Sequence, residues 1–273
     1  MGKDARYIHG TDPEEQRRLS DLNTILNDAS LVAMAPRPGE RLLEVGSGLG
    51  HFARAAARRT GTVVVGVERS ETQRARALEL AAADGEAALV ELRHGDALDL
   101  PLAAGEWGTF DVAHARFLLE HVPDPQAAVD QMARAVRPGG RVVLEDDDHA
   151  ALRLWPEPPA VMAVWHAYIR TYDRLGCDPY VGRRLVSLAS SAGLRPRRID
   201  LLRFGACGAE PMFPALVANL IDILVGARQP ILDTAGCDAA TFGVAIEALR
   251  AFADRQDAAF WYTVSWAEAI RPS

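Results

Sequence analysis

The chain has 273 residues, 49% of them hydrophobic and 25% charged, with a formal net charge of −7. That hydrophobic share can bury a core in one large domain or two small ones, and it excludes a wholly disordered chain. The acidic balance argues against a protein that wraps nucleic acid. No apolar run reaches the about 20 residues of a bilayer span, and the richest, residues 215–227, is broken by Asn219 and Asp222.

At the start, Met1–Gly10 carries no apolar stretch of the kind an export signal needs, and Arg6 stands where a myristoylation signal requires Ser or Thr. A soluble, cytoplasmic protein is expected. Asp12 is placed as a helix N-cap, with Pro13 at the first helical position and Glu14 and Glu15 in a first turn that favours acids. Leu19, Leu22, Ile25, Leu26 and Val32 recur at helical spacing until Pro36 and Pro38 break the pattern. This predicts a helical arm over residues 1–38 with one face to bury.

Beyond Arg41 the character changes. RLLEV, TVVVGV, AALVEL, FDVAHA and GRVVLED are short β-branched runs bounded by Gly, Pro or Asp, and they predict five strands. Helical stretches lie between them at 51–59, 71–83 and 126–136. Strands alternating with helices mean a parallel sheet covered on both faces, so residues 39–150 are expected to form a doubly wound α/β core.

Residues 151–273 are expected to complete a mostly parallel, seven-stranded sheet. Helices are predicted at 161–175 and 181–192, a strand at 197–204, helices at 210–228 and 239–255, and a last strand in FWYTVSWAEAI. About fifty residues, near 205–258, then separate two strands that could otherwise form a hairpin, and they read as a helical lid. Its FPALVANLIDILVGA run is apolar on more than one face, which suits a substrate pocket or the interface of a homodimer. Cys177, Cys207 and Cys237 are an odd number without a CxxC pair, which argues against a disulfide framework and against a zinc knuckle.

LEVGSGLG places Gly46, Gly48 and Gly50 after the first strand and at the mouth of a helix, where missing β-carbons let a ligand touch the backbone. The dinucleotide fingerprint GxGxxG would need glycine at position 51, which is His51, so an NAD reading loses its third glycine. Two acids follow on successive strands, at the carboxyl ends where open α/β sheets hold ligands. Glu68 ends TVVVGVE, and a carboxylate there can accept from both hydroxyls of a ribose. Asp96 in HGDALDLP can take the exocyclic amine of an adenine while the Ala97 N–H meets a ring nitrogen.

Taken together, LEVGSGLG, VERSETQ, HGDALDLP, FDVAHARFLLEHVPDP and the RPGG turn before VVLED resemble the class I S-adenosylmethionine-dependent methyltransferases. The likeness covers most of residues 40–148 and points to the ubiquinone/menaquinone-biosynthesis-like branch with small-molecule substrates. It implies a Rossmann-like fold with S-adenosyl-L-methionine as cofactor. By this resemblance Glu44, Gly46, Ser47, Gly48 and Gly50 cradle the methionine part, Glu68 with Arg69 holds the ribose, and Gln73 packs on adenine. Asp96 with Ala97 reads the base, and Ala115 lines the methionine moiety. YIHGTDPEEQRRL resembles the N-terminal arm of relatives, with Tyr7 and Arg18 able to reach the cofactor. Glu68 departs from the Asp common in relatives, and its longer side chain still spans to the ribose.

The implied reaction is an in-line displacement, in which the protein aligns a nucleophile with the methyl carbon and excludes water. An oxygen, nitrogen or carbon nucleophile of a small biosynthetic intermediate is the expected acceptor. His114 and His149, near the ends of strands four and five, are the candidate bases, with simple surface exposure as the alternative for each. His121 reads as a helix-end residue bonded to backbone. EDDDH, Glu145–His149, reads as a solvated turn or an attractor for a cationic substrate, because alternating side-chain directions keep its acids from converging on one metal ion. Trp165, Tyr168 and Tyr172 share one helix face, as core or as an aromatic wall for a flat substrate.

Two rival functions stand beside this one. Methylation of nucleic acid or protein would call for an NPPY-like turn, but HARF follows the fourth strand. The other rival binds the same cofactor and catalyses decarboxylation, hydroxylation or cyclisation.

Overall fold

The computed structural model describes residues 26–233 and 236–273. Asp12, Tyr7, Arg18 and most of the predicted arm lie outside the described residues. The helix α1 is seen over residues 26–34, with Leu26, Ser30, Leu31 and Met34 buried. Val32, predicted on the buried face, is 73% exposed. Six residues beyond Leu26 turn the helix by about 240°, off the stripe that Leu26, Ser30 and Met34 share.

Tertiary contacts divide the chain into two units. The first gathers the described residues up to Asp148 with Cys177–Leu202 and Val264–Ser273, and the second gathers His149–Gly176 and Arg203–Thr263.

In the first unit the short apolar runs become parallel strands, β1 (Leu42–Val45), β2 (Val64–Glu68), β3 (Val90–His94), β4 (Phe110–Arg116) and β5 (Val136–Asp147). They lie in the order β3-β2-β1-β4-β5. The crossovers are α2 (His51–Thr60), α3 (Glu71–Ala83) and α4 (Pro125–Ala135). Local chemistry sets their starts: the Ser70 side chain accepts from Gln73 N to cap α3, and Asp124 accepts from Ala127 N to cap α4, with Pro125 in its first turn. The order reverses between β1 and β4, so the crevice outside their carboxyl ends is a topological switch point. Leu43, Val45, Val65, Val67, Ala113 and Val142 fill the core around these strands.

The last strand, β8 (Ala259–Ile270), runs antiparallel to β5, with register from Arg141↔Ile270 to Asp147↔Val264. A helix α6 (Leu185–Ser191) also belongs to this unit, and β7 (Arg195–Cys207), which pairs with β8, begins in it.

The second unit is mainly helical. Its helices are α5 (Pro159–Thr171), α7 (Phe213–Gly226), α8 (Arg228–Leu232) and α9 (Ala239–Ala253), which bury Val161, Val164, Phe213, Val217, Leu224, Phe242, Leu249 and Phe252. The last three helices occupy the interval between β7 and β8. Asp238 caps α9 by accepting from Thr241 N. A short strand, β6 (Arg153–Trp155), pairs antiparallel with the start of β8.

The mostly parallel sheet with flanking helices is the architecture expected from the sequence. It has eight strands among the described residues rather than seven, the addition being β6. Three residues closed by Pro156 are too few for alternation to reveal a strand.

Candidate functional site

The loop after β1 is shaped by three glycines in the left-handed region, Gly46 (φ 76°), Gly48 (φ 52°) and Gly50 (φ 71°). The loop folds back so that Gly46 N and Ser47 N both donate to Val67 O, at 2.8 and 3.0 Å. A β-carbon on Gly46 would lie 3.0 Å from Leu118 Cδ1, so the close approach of the segment after β4 also demands glycine there. Gly50 is the N-cap of α2. His51 opens that helix, its Nδ1 3.2 Å from Arg54 Nη2, and burial together with the Arg54 and Arg116 charges pushes the imidazole down.

At the tip of β2, Glu68 Oε2 accepts from Gly48 N at 2.9 Å and Oε1 accepts from Ser70 N at 2.7 Å. A carboxylate oxygen has two lone pairs, so each oxygen keeps one for a further donor. Gln73 Oε1 would lie 3.4 Å from a β-carbon on Gly48, which puts its side chain over the loop. Past β3, Asp96 Oδ1 accepts from Leu98 N at 2.9 Å and Oδ2 lies 3.8 Å from Arg69 Nη1, both side chains being substantially exposed. Ala97 is buried beside them, and Ala115 is buried in β4 as the register partner of Val45.

Below the loop lies a polar cluster within the sheet. Glu44 on β1 and His114 on β4 are register partners, and Glu145 sits at the end of β5. His114 Nε2 is 3.2 Å from Glu145 Oε1, Nδ1 is 3.9 Å from Glu44 Oε1, and Phe52 of α2 stacks on the ring at 4.0 Å. Ser30 Oγ donates to Glu145 Oε2 at 2.5 Å, while Arg116 donates to Asn27 Oδ1 at 2.7 Å and Ser30 Oγ at 3.3 Å.

The charges of this cluster follow from its surroundings. Burial raises the Glu44 carboxyl to about 8, against the pull of Arg116 and a hydrogen bond from the Ala53 N–H. Burial would also raise Glu145, but the His114 hydrogen bond, the Arg116 charge and the Ser30 hydroxyl outweigh it and hold Glu145 ionised. Burial pushes His114 down toward the neutral imidazole, against its bond to Glu145. The neutral tautomer assigned by this network carries its hydrogen on Nε2 and leaves a lone pair on Nδ1 toward Glu44.

His114 is therefore neither exposed nor open to a substrate, since it is fully buried between two carboxyls and a phenyl ring. Burial equally corrects the reading of EDDDH as a solvated turn. Glu145 and Asp146 are both 0% exposed. Their directions diverge, as alternation requires: Glu145 turns to His114, and Asp146 Oδ2 accepts from Leu118 N and Leu119 N at 3.1 and 2.7 Å. Asp148 pairs with Arg183 at 2.6 Å. Burial and the neighbouring Glu120 raise the Asp146 carboxyl despite its backbone donors. His121 ends a short helical turn, its N–H donating to Leu118 O at 2.9 Å, and its imidazole lies 3.4 Å from the Glu120 carboxylate.

In the second unit, His149 is buried in an aromatic cage. Its Nε2 is 3.1 Å from Tyr172 Oη and its Nδ1 3.1 Å from Tyr262 Oη, while Trp165 Nε1 donates to its carbonyl at 2.9 Å. Tyr168 Oη and Tyr172 Oη are 3.1 Å apart. The Trp165, Tyr168 and Tyr172 stripe is core, packed around this imidazole.

Arg116, Ser30, Asn27 and Phe117 are not among the site residues expected from the sequence. Phe117, just past β4, has φ 51°, a left-handed backbone rare for a non-glycine residue, and its N–H donates to Glu145 O at 3.0 Å. Arg116 carried a signal in its place at the carboxyl end of a predicted strand, masked by a composition in which 29 of the 30 basic side chains are arginine and only Lys3 is lysine.

Comparison with known proteins gives the family. A methyltransferase domain family matches residues 15–198. The 27-O-demethylrifamycin SV methyltransferase of Amycolatopsis mediterranei is 37% identical over 139 residues, half of each chain. The ubiquinone biosynthesis O-methyltransferase of Ralstonia nicotianae is 35% identical over 224 residues, covering 80% of this chain and 89% of that one. The match spans about half the length of the first curated relatives. A candidate methyltransferase from Bacillus halodurans superposes with a TM-score of 0.60 at 20% identity, over 93% of this chain and 100% of that one, a likeness of fold. With the methyltransferase domain family matching two thirds of this chain, and a relative of over 30% identity covered almost throughout, the chain belongs to the class I S-adenosylmethionine-dependent methyltransferases.

Proposed function

We propose that the protein transfers the methyl group of S-adenosyl-L-methionine, in line, to a nucleophile of a small biosynthetic intermediate. The observation that carries this is a cradle with unmet polar demand: Glu44 Oε2 and Ser47 Oγ are enclosed at the glycine loop without hydrogen-bond partners among the described residues, beside Glu68 with lone pairs to spare. Buried polar atoms without partners are costly, so a ligand offering an ammonium and hydroxyl donors fits this donor and acceptor set. When bound, the cofactor supplies an electrophilic methyl on a sulfonium.

The chain's own residues do the rest. Glu44, Gly46, Ser47, Gly48, Gly50 and Ala115 receive the methionine part, and Tyr7 and Arg18, outside the described residues, are assigned to the same cofactor by resemblance. Glu68 and Arg69 orient the ribose, and Gln73, Asp96 and Ala97 hold the base. The helical insert over about 205–258 is assigned to substrate binding. His149 is assigned as the base, because His114 is sealed while His149 is bonded through both nitrogens to phenols able to pass a proton. An oxygen acceptor is favoured because one curated relative above is an O-methyltransferase by name and the other is named for a 27-O-demethyl compound. We place the protein in the cytoplasm, because its three cysteines include no CxxC pair and no helix among the described residues is long and apolar enough to cross a membrane.

Incubation with methyl-labelled cofactor and a library of hydroxylated, amine and activated-carbon metabolites is expected to label a product. Product formed without movement of label would overturn methyl transfer in favour of the non-methylating chemistry. His149→Gln is expected to lower kcat by roughly 10²–10⁴, the usual contribution of a general base, while calorimetric affinity for S-adenosylhomocysteine stays within a few-fold. A kcat that does not move removes His149 from the chemistry.

A further inference from the structure

We propose that Glu44 changes charge when the cofactor binds: it holds a proton in the free protein and gives that proton to solvent as the cationic ligand settles on the glycine loop. The inference rests on the cofactor reading above and deepens it.

The geometry leads there in three steps. Glu44 is enclosed, with Oε2 meeting no partner among the described residues, so as a bare anion it would lack solvation on that side. The charged and titratable groups that face it are His114 and Arg116 from β4, Glu145 from β5 and Glu68 from β2. Helix α2 offers the Ala53 N–H, and α1 brings Asn27 and Ser30, both uncharged, to Arg116. Arg116 and ionised Glu145 compensate each other, so the free cluster is neutral when Glu44 is protonated and His114 is neutral. An additional anion there would have two carboxylates as neighbours.

A ligand carrying positive charge reverses this balance. An ammonium brought to the loop gives Glu44 Oε2 and Ser47 Oγ the donors they lack and favours the carboxylate over the acid. The displaced proton has no place in the cluster, because the His114 imidazole is itself disfavoured as a cation by burial. It leaves to bulk, and affinity becomes pH-linked.

Calorimetry with S-adenosylhomocysteine at pH 7, in phosphate and in Tris, counts the proton. Wild type is expected to release close to one, and its affinity to rise by about tenfold from pH 6 to 7 and by about fivefold from pH 7 to 8. Glu44→Gln is expected to remove that release and flatten the dependence, with any contribution from the ligand's own amine common to both proteins. Binding without proton release, or release undiminished in Glu44→Gln, overturns the proposal. A complete lack of binding overturns the cofactor reading and the release together.

The protonated state in the free protein is tested separately, by urea midpoints of wild type and Glu44→Gln from pH 4 to 9. A group whose folded pKa is raised contributes stability that is full below its unfolded pKa and lost as pH rises through the folded one. Wild type should therefore lose stability relative to the variant between about 4.5 and about 8. Parallel curves mean that Glu44 is already ionised, and overturn the proposal whatever the ligand does.

Discussion

Replacing Glu68 with alanine is expected to weaken binding of S-adenosylhomocysteine by about 1–3 kcal/mol, roughly 5- to 150-fold at 25 °C. Two effects add. The ribose hydroxyls would lose charged acceptors, and Gly48 N and Ser70 N would lose the carboxylate that fixes the loop to the start of α3. Glu68→Gln separates them, because an amide oxygen can still accept from one backbone N–H but cannot offer an anion to a diol. Alanine is expected to cost more than glutamine, and an affinity unchanged in both variants by calorimetry would remove the ribose assignment.

Replacing Glu145 with alanine is expected to cost roughly 3 kcal/mol of stability, read as a lower urea midpoint at unchanged m-value. Glu145 is wholly buried, accepts from Ser30, faces His114 Nε2 and counters the Arg116 charge. Deleting it strands a guanidinium and an imidazole N–H together. The figure sits at the low end for breaking a buried ion pair because Arg116 is only partly buried and keeps its bonds to Asn27 and Ser30. Arg116→Met combined with Glu145→Leu should recover much of the loss, since removing both charges removes the uncompensated one. A double variant no better than the single would show that the cost is packing rather than charge.

Much of the α/β core could be read directly because its punctuation is local. Gly, Pro and Asp bound each β-branched run, and Ser70 and Asp124 cap their helices in a way that needs no tertiary partner. The turn glycines Gly46, Gly48 and Gly50 are legible for the same reason, as their positive φ is a property of the turn. Burial of charge was not legible. EDDDH has the composition of an exposed turn, and only the register of β5 against β4 and β8 carries Glu145 inside. His114 and His149 looked alike in sequence, yet one is locked between carboxyls and the other ringed by phenols, because their environments come from residues far along the chain. Phe117 gave no sign of its left-handed backbone, which the structure around it imposes.

The reversed direction of β8 has a practical outcome. Ile270 faces Arg141 at the beginning of β5's main paired stretch, and Arg271 N donates to Gly140 O at 2.9 Å, so Ile270 and Arg271 lie at the rim opposite the carboxyl ends of β1 and β2. A biosensor anchor attached through a side chain beside Arg271 would emerge on that far rim. Immobilisation by this route should leave the glycine cradle facing the flow, and the binding measurements above can be run on a surface as well as in free solution.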